Sequence, residues 1–217
     1  VFLASSLSYA AMAAIFALLM TDNTTAVQMP APLRAEGASL LSVFELRPGT
    51  LAGLAGLIVM VGAMRLLTLA VSLFIVSDLG GTVTDVGFYA GITAAVEAPC
   101  MMLLAWLTTK LSKETLLAAA GLVMAVFIGL TSMLTSMTAL YWLLLLNGLG
   151  TAALMSVNIP YIQDAIKGRV GLSTSLMDIV AIGANLLGAA GFGLLASGGN
   201  YRLALGVAAG LSIVGAA

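Results

Sequence analysis

A carboxylate and a proline interrupt the apolar run Ala95-Val-Glu-Ala-Pro-Cys-Met-Met-Leu103. An ionised side chain at membrane depth is costly, so it normally faces a cavity or an opposite charge. Arg65 lies at similar depth in the preceding apolar run, which makes an Arg65–Glu97 contact possible. Such a pair predicts one of two roles: a substrate-binding or proton-coupling site, or an ion pair that only fixes helix packing.

Later apolar runs carry further polar side chains. Asp178 and Asn185 are seven residues apart and share a helix face that can line the same cavity, although Asp178 alone fits a carboxylate near the interface equally well. Asn147 and Asn158 are uncharged, and interhelical hydrogen bonds of about 1 kcal/mol account for them. Pro99 frees a backbone carbonyl one turn earlier, which a cavity tolerates, but a kink without function explains it too.

The composition sets the class of protein. Of 217 residues, 61% are hydrophobic and 8% charged, whereas a soluble domain is about a quarter charged. The chain is therefore expected to be an all-α polytopic membrane protein. Its net charge of −1 offers no basic face for nucleic acid. Cys100 is the single cysteine and histidine is absent, so we expect no disulfide, no metal site, no cofactor and no enzyme.

Seven stretches approach the roughly 20 apolar residues that a membrane-crossing helix needs. They are about 1–20, 52–77, 84–108, 115–135, 138–160, 171–197 and 201–217. Residues 21–51 contain three prolines and several charges, which predicts a flexible linker and a domain boundary. Val1 and Ala217 lie inside apolar runs, so we expect a piece of a longer chain.

Lysine and arginine placement predicts the orientation. Six of these residues fall on one side of the seven spans, namely Arg34, Arg47, Lys110, Lys113, Lys167 and Arg169. The opposite side has only Arg202, with the acidic Asp78 and Asp85. Because cytoplasmic loops are enriched in positive charge, the linker is expected to be cytoplasmic.

Glycines in the last two spans predict close helix contacts. They are Gly183, Gly188, Gly191 and Gly193, with Gly206 and Gly210 at GxxxG spacing.

Two stretches resemble known transporters. The turn from Ala105 to Leu117 is similar to the loop motif of major facilitator transporters: matches are Leu107, Lys110, Lys113 and Leu117, and departures are Ala105, Thr109, Ser112 and Glu114. On composition alone, the two lysines are ordinary membrane anchors. The stretch from Tyr161 through Gln163 and Asp164 to Ser175 resembles the bacterial sugar efflux transporters of that superfamily. Four shorter matches keep the family order: Leu73-Phe74-Ile75, Glu97-Ala-Pro99, Leu145-Leu146-Asn147 and Asn200-Tyr201.

The resemblance implies a major facilitator-type bundle, about seven transmembrane helices of a twelve-helix carrier. Residues 1–20 would be the last helix of the N-terminal half and 21–51 the cytoplasmic interdomain linker. Residues 52–217 would be the C-terminal six-helix half with a truncated last helix, built from two inverted three-helix repeats. The family arginine of the eleventh helix has no counterpart here, and Arg65 replaces an asparagine of the seventh helix. These departures put the substrate in doubt more than the fold.

The function implied by the resemblance is secondary active, proton-coupled efflux of sugars or related small polar molecules by alternating access. Glu97 is the first candidate for coupling or substrate hydrogen bonding, with Arg65 as its electrostatic partner and Asn147, Asp178 and Asn185 as further lining. A cytoplasmic gate or loop clamp would involve Lys110, Lys113, Gln163, Asp164 and Arg169. The expected partners are a sugar, protons, the lipid bilayer (a bacterial inner membrane) and the N-terminal half of the same chain.

Three alternatives remain. A multidrug or other small-molecule exporter of the same superfamily would share this architecture and differ in its cavity lining. A seven-span receptor fits the topology, but a retinal protein needs a lysine in the last span, and many receptors need a disulfide that one cysteine cannot form. An intramembrane enzyme lacks histidine and a recognisable nucleophile arrangement.

Overall fold

The computed structural model describes residues 48–165, 170–196 and 198–217, and these ranges contain α-helices and turns without strands. The helices are α1 Pro48–Ser77, α2 Val83–Leu107, α3 Lys113–Met133, α4 Met137–Ala165, α5 Val170–Leu195 and α6 Tyr201–Ala216. The first five contain stretches long and apolar enough to cross a membrane, whereas α6 is shorter. The all-α expectation is confirmed. The expected helix over 1–20 and the linker up to residue 47 lie outside the described residues.

Two helix boundaries differ from the sequence expectation. Residues 48–51 are helical and are part of α1, whereas the sequence expectation began this span at residue 52. Proline suits a first helical position, where its missing N–H removes no hydrogen bond. Helix α4 continues through Pro160 to Ala165, although the expected span ended at residue 160.

Polar side chains start the helices at three turns. Thr82 caps α2 in a capping box, in which its backbone N–H donates to the Asp85 carboxylate at 2.7 Å. Ser112 caps α3 by accepting from the Thr115 N–H, and Asn200 caps α6 by accepting from the Leu203 N–H. These caps satisfy N–H groups that the first helical turn leaves without partners.

Contacts between helix ends show that successive helices run in alternating directions. At the Ser77 end of the bundle, Arg202 of α6 reaches Asp78 after α1 and the Ser132 carbonyl of α3. At the opposite end, the Pro48 end, Lys113 of α3 pairs with Asp164 of α4. Each helix therefore joins one end to the other.

Each helix packs extensively against one or two others. These contacts connect the helices in the order α2–α4–α3–α6–α1–α5, in which neighbours in the series are neighbours in the bundle. Helices α2 and α5 stand at the ends of this order and are the least buried of the five longer helices. The fully buried side chains come mainly from α1, α3 and α4, among them Phe74, Phe127 and Leu154. Since lipid is as apolar as these side chains, close packing rather than water exclusion holds the helices together.

The packing order has an internal symmetry. When α1 is exchanged with α4, α2 with α5 and α3 with α6, the same order is obtained, read from its other end. Equivalent helices run in opposite directions, so the bundle consists of two inverted three-helix repeats. The two end crossings also correspond. A Cβ built on Gly62 of α1 would lie 2.7 Å from Leu187 of α5, and one built on Gly148 of α4 would lie 2.6 Å from Val96 of α2.

The expected close helix contacts are found at some of the glycines of α5 and at neither Gly206 nor Gly210 of α6. A Cβ on Gly188 would lie 2.5 Å from the Arg65 Cβ, so this glycine does permit a close crossing. The expectation is wrong for Gly193, Gly206 and Gly210, because nothing lies within 4 Å of a Cβ at these positions. Helix α6 buries the other face, formed by Ala204, Leu205, Ala208 and Ser212.

Candidate functional site

A group of three polar side chains joins α2 to α4 within the bundle. Asn147 of α4 is only 3% exposed. Its amide nitrogen donates to the Tyr89 hydroxyl and to the Thr93 hydroxyl, each at 3.0 Å. Thr93 in turn donates to the backbone carbonyl of Tyr89 at 2.8 Å. We call Tyr89, Thr93 and Asn147 the polar trio.

The Asn147 amide is oriented with its nitrogen toward Thr93, and the hydrogen bonds of Thr93 agree with this orientation. The single Thr93 proton goes to the Tyr89 carbonyl, so the Thr93 oxygen must accept from Asn147. The amide group facing Thr93 is therefore the nitrogen, and the Asn147 carbonyl oxygen points elsewhere. This assignment rests on the network and not on the similar shapes of the two amide atoms.

Glu97 lies on the same face of α2 as the polar trio. Tyr89, Thr93 and Glu97 follow one another at intervals of four residues, so they form one stripe along the helix. Gly148 brings α4 against this stripe, since a Cβ there would lie 3.3 Å from the Glu97 backbone nitrogen. Glu97 is half-buried, and no described residue gives its carboxylate a hydrogen bond or ion pair.

Arg65 and Glu97 do not form an ion pair in the structure. Among the described residues, the ion pairs are Lys113–Asp164 and Arg202–Asp78. The reason lies in the packing: α1 lies mainly against α5 and α6, whereas α2 lies against α4. The Arg65 side chain is exposed at the α1–α5 crossing beside Gly188.

The remaining lining candidates lie on the outer surface of α5. Asp178 and Asn185 are both exposed, and so are Ile182 and Leu186 between and beside them. The shared face expected from their seven-residue spacing is therefore an exposed face of the bundle. Pro99 is exposed on α2. Because proline has no N–H, the Ala95 carbonyl lacks its helical partner, and Ala95 is exposed as well.

The structure brings two of the gate candidates together at the Pro48 end. Lys113 pairs with the Asp164 carboxylate and donates to the Pro160 carbonyl at 3.2 Å. Lys110 and Gln163 are exposed nearby in the chain. Arg169 lies outside the described residues.

A matching cluster occupies the Ser77 end. Arg202 donates to Asp78 at 3.2 Å and to the Ser132 carbonyl at 2.9 Å, and its guanidinium lies 5.1 Å from the centre of the Phe74 ring. On α2, Asp85 accepts from the Tyr141 hydroxyl at 2.8 Å. Both clusters hold helix ends together.

A cavity of about 510 Å³ opens at the Pro48 end, away from the polar trio. Small residues of α1 and α6 line much of it, with Glu114 and Tyr161 as polar groups. None of the candidates for substrate or proton binding contributes to it. Within the described ranges, no group of three acidic, cysteine or histidine residues is placed to hold a metal ion.

Sequence reasoning found Glu97 and Asn147 but missed Tyr89 and Thr93. Tyrosine and threonine are unremarkable in an apolar helix, and neither carries a charge. The available signal was the interval of four residues that places both on the Glu97 face of α2. Using it requires knowing that this face meets α4.

Comparison with known proteins identifies the family. Residues 52–217 match the family described as the Major Facilitator Superfamily. The chain belongs to the major facilitator superfamily. It is 31% identical over 104 residues to the "Sugar efflux transporter A" of Dickeya chrysanthemi, which covers 48% of this chain and 26% of the relative. It is 27% identical over 151 residues to a "Putative sugar efflux transporter" of Deinococcus radiodurans, covering 70% and 39% respectively.

The alignments span less than half the length of either relative. No solved structure matches this major facilitator chain at a significant level. The family and the apolar helices together make it a multi-pass membrane protein of the transporter class. The resemblance drawn from the short motifs is confirmed.

Proposed function

We propose that this chain forms the C-terminal half of a secondary active exporter of sugars or related small polar molecules. The observation that carries the proposal is the position of Glu97. It is a half-buried carboxylate near the middle of α2, without a partner among the described residues, and in line with the polar trio. The names of the two relatives support sugar as the substrate class.

Glu97 is the proposed proton-coupling residue. Carboxylates inside membrane spans are typical of the proton relays of transporters, and proton binding by Glu97 would change with the side of the membrane that it faces. Alternating access supplies that change of side, because the two halves of such carriers rock around a site near the bilayer midplane. Proton uptake and substrate release are then linked through one region of α2.

The polar trio favours a sugar over an apolar drug. Hydroxyl and amide groups at this depth recognise a substrate that forms hydrogen bonds, whereas an apolar compound would leave them without partners. A carrier for apolar drugs would gain more from aliphatic and aromatic lining. Membership of a family of carriers also supports the expectation that the chain is no enzyme.

The partners follow from the same proposal. The N-terminal half of the carrier supplies the opposite wall of the cavity, and the membrane is the inner membrane of a bacterium, as the two bacterial relatives suggest. Lys110 and Lys113 favour a cytoplasmic Pro48 end. At that end, the Lys113–Asp164 pair acts as a clamp on α4.

Transport by the complete carrier in proteoliposomes tests the role of Glu97. An imposed pH gradient is expected to drive sugar flux by the wild type, whereas Glu97→Gln binds sugar but loses the gradient-driven component. The matched control is Glu114→Gln, which removes an exposed carboxylate at the start of α3. Equal gradient-driven flux in Glu97→Gln and the wild type would exclude Glu97 as the coupling residue.

A further inference from the structure

The polar trio leaves one hydrogen-bond donor and one acceptor unused. Both protons of the Asn147 amide nitrogen are given to Tyr89 and Thr93. The Tyr89 hydroxyl accepts one of them, and its own proton meets no acceptor among the described residues. The Asn147 carbonyl oxygen likewise meets no donor in the described part of the chain. The hydrogen bonds within the trio hold these two groups in place.

The equivalent crossing, between α1 and α5, shows that the fold does not require polar groups at these positions. The equivalence of the Gly148–Val96 and Gly62–Leu187 crossings sets the two repeats in register. In this register, Val61 of α1 is equivalent to Asn147 of α4. On α5, Val180 is equivalent to Tyr89 and Ala184 to Thr93. All three are buried apolar residues of the core, so these three positions of the equivalent crossing are packed without side-chain hydrogen bonds.

We propose that Tyr89 and Asn147 form a hydroxyl-binding pair and that Tyr89 determines specificity for uncharged polyhydroxy substrates. A hydroxyl group both donates and accepts, so one substrate hydroxyl can donate to the Asn147 oxygen while it accepts from Tyr89. A carboxylate or phosphate would meet the Asn147 oxygen without a proton to give, and an ammonium group could not accept from Tyr89. The inference rests on the proposed function, and it narrows the substrate to neutral sugars and polyols.

Tyr89 is half-buried and Asn147 is 3% exposed, so a substrate would reach the pair from the side of α2 against which no other described helix packs extensively. Helix α2 stands at one end of the packing order and has α4 as its one extensive neighbour among the described helices. Thr93 is the positioning residue of the pair, because its accepted hydrogen bond turns the Asn147 oxygen away from α2. Glu97 lies one turn further along the same stripe, so proton coupling and hydroxyl recognition share one helix face.

The test compares Tyr89→Phe with the wild type in the complete carrier. The substitution removes one oxygen and keeps the ring that packs against the core. Uptake of D-glucose, D-galactose and lactose into proteoliposomes is measured together with the monodeoxy analogues of each transported sugar. A wild-type site that binds a particular hydroxyl should discriminate against the analogue that lacks it. We expect Tyr89→Phe to raise KM about tenfold for the parent sugar and to abolish that discrimination.

Two controls separate the possible failures. Tyr141→Phe removes another tyrosine hydroxyl that bonds between α2 and α4, the one that donates to Asp85. This variant should leave the discrimination between sugars unchanged. Thr93→Val should raise KM while the Tyr89 hydroxyl remains, which covers the case in which Tyr89→Phe fails to fold. If no sugar is transported by the wild type, the proposed function fails. If sugars are transported and Tyr89→Phe keeps both KM and the deoxy discrimination, the hydroxyl-binding pair is wrong and the proposed function stands.

Discussion

Gly148 controls the spacing between Asn147 and the polar stripe of α2. A Cβ at this position would lie 2.6 Å from the Val96 Cγ1 and 2.7 Å from its Cβ. Val96 is β-branched and has little freedom to turn away. The hydrogen bonds of Asn147, which are both 3.0 Å long, therefore depend on a missing side chain at the next residue.

We expect Gly148→Ala to separate α2 from α4 and to cost about 1–3 kcal/mol, as overpacking does elsewhere. Thermal unfolding of the purified carrier in detergent measures the loss, and sugar transport should fall with it. Gly91→Ala on α2 is the matched control, since nothing lies within 4 Å of a Cβ there. Val96→Gly removes both the Cγ1 and the Cβ contact, so Gly148→Ala should cost less in that background; an equal loss in the two backgrounds would show that the contact with Val96 is not the cause.

Single residues show how far the sequence alone can lead. Glu97 and Asn147 stand out because a charge or an amide is rare in an apolar run. Their surroundings depend on which helices meet, and no sequence pattern of one helix contains that information. For that reason Arg65 was expected beside Glu97, whereas the structure places it beside Gly188 on the α1–α5 crossing.

The helix ends are held by two related clamps at opposite ends of the bundle. In each, a basic residue in the first turn of the third helix of a repeat binds a carboxylate near the end of the first helix of the other repeat. The pairs are Lys113 with Asp164 and Arg202 with Asp78. Each basic residue also donates to a backbone carbonyl. The Lys113 clamp helps to explain why α4 continues past Pro160, which the sequence suggested as its end.

The two clamps should differ in strength. Arg202 binds Asp78 and a carbonyl and also lies over Phe74, whereas Lys113 binds an Asp164 that is 60% exposed. Arg202→Gln is expected to cost about 1–2 kcal/mol, and Lys113→Gln below about 1 kcal/mol because exposed ion pairs contribute little. Thermal unfolding in detergent at low and high salt checks both, with high salt reducing the smaller effect further. Equal losses in the two variants would contradict this ranking.

The whole bundle repeats its packing more closely than its sequence. The order α2–α4–α3–α6–α1–α5 is unchanged by exchanging the repeats, and the clamps and glycine crossings follow the same exchange. Residue identities differ at most equivalent positions, as Asn147 and Val61 illustrate, although Gly62 and Gly148 are the same. The six-helix bundle could be predicted from apolar run length and short motifs. The inverted repeat is implied by the family resemblance, but it is a property of helix contacts, so its packing partners and register come from the structure.

Orientation in the membrane is the prediction that concerns the whole molecule. Lys110 and Lys113 at the Pro48 end favour a cytoplasmic position, and Arg202 at the Ser77 end is neutralised by Asp78. In the complete carrier with Cys100→Ala, we expect Leu111→Cys to react with a membrane-impermeant maleimide only after cells are permeabilised. Gly198→Cys should react in intact cells, since this residue is exposed in the turn before α6. The opposite labelling pattern would show that the Pro48 end faces away from the cytoplasm. The orientation prediction would then be wrong, and the directions of proton uptake and release proposed for Glu97 would be reversed.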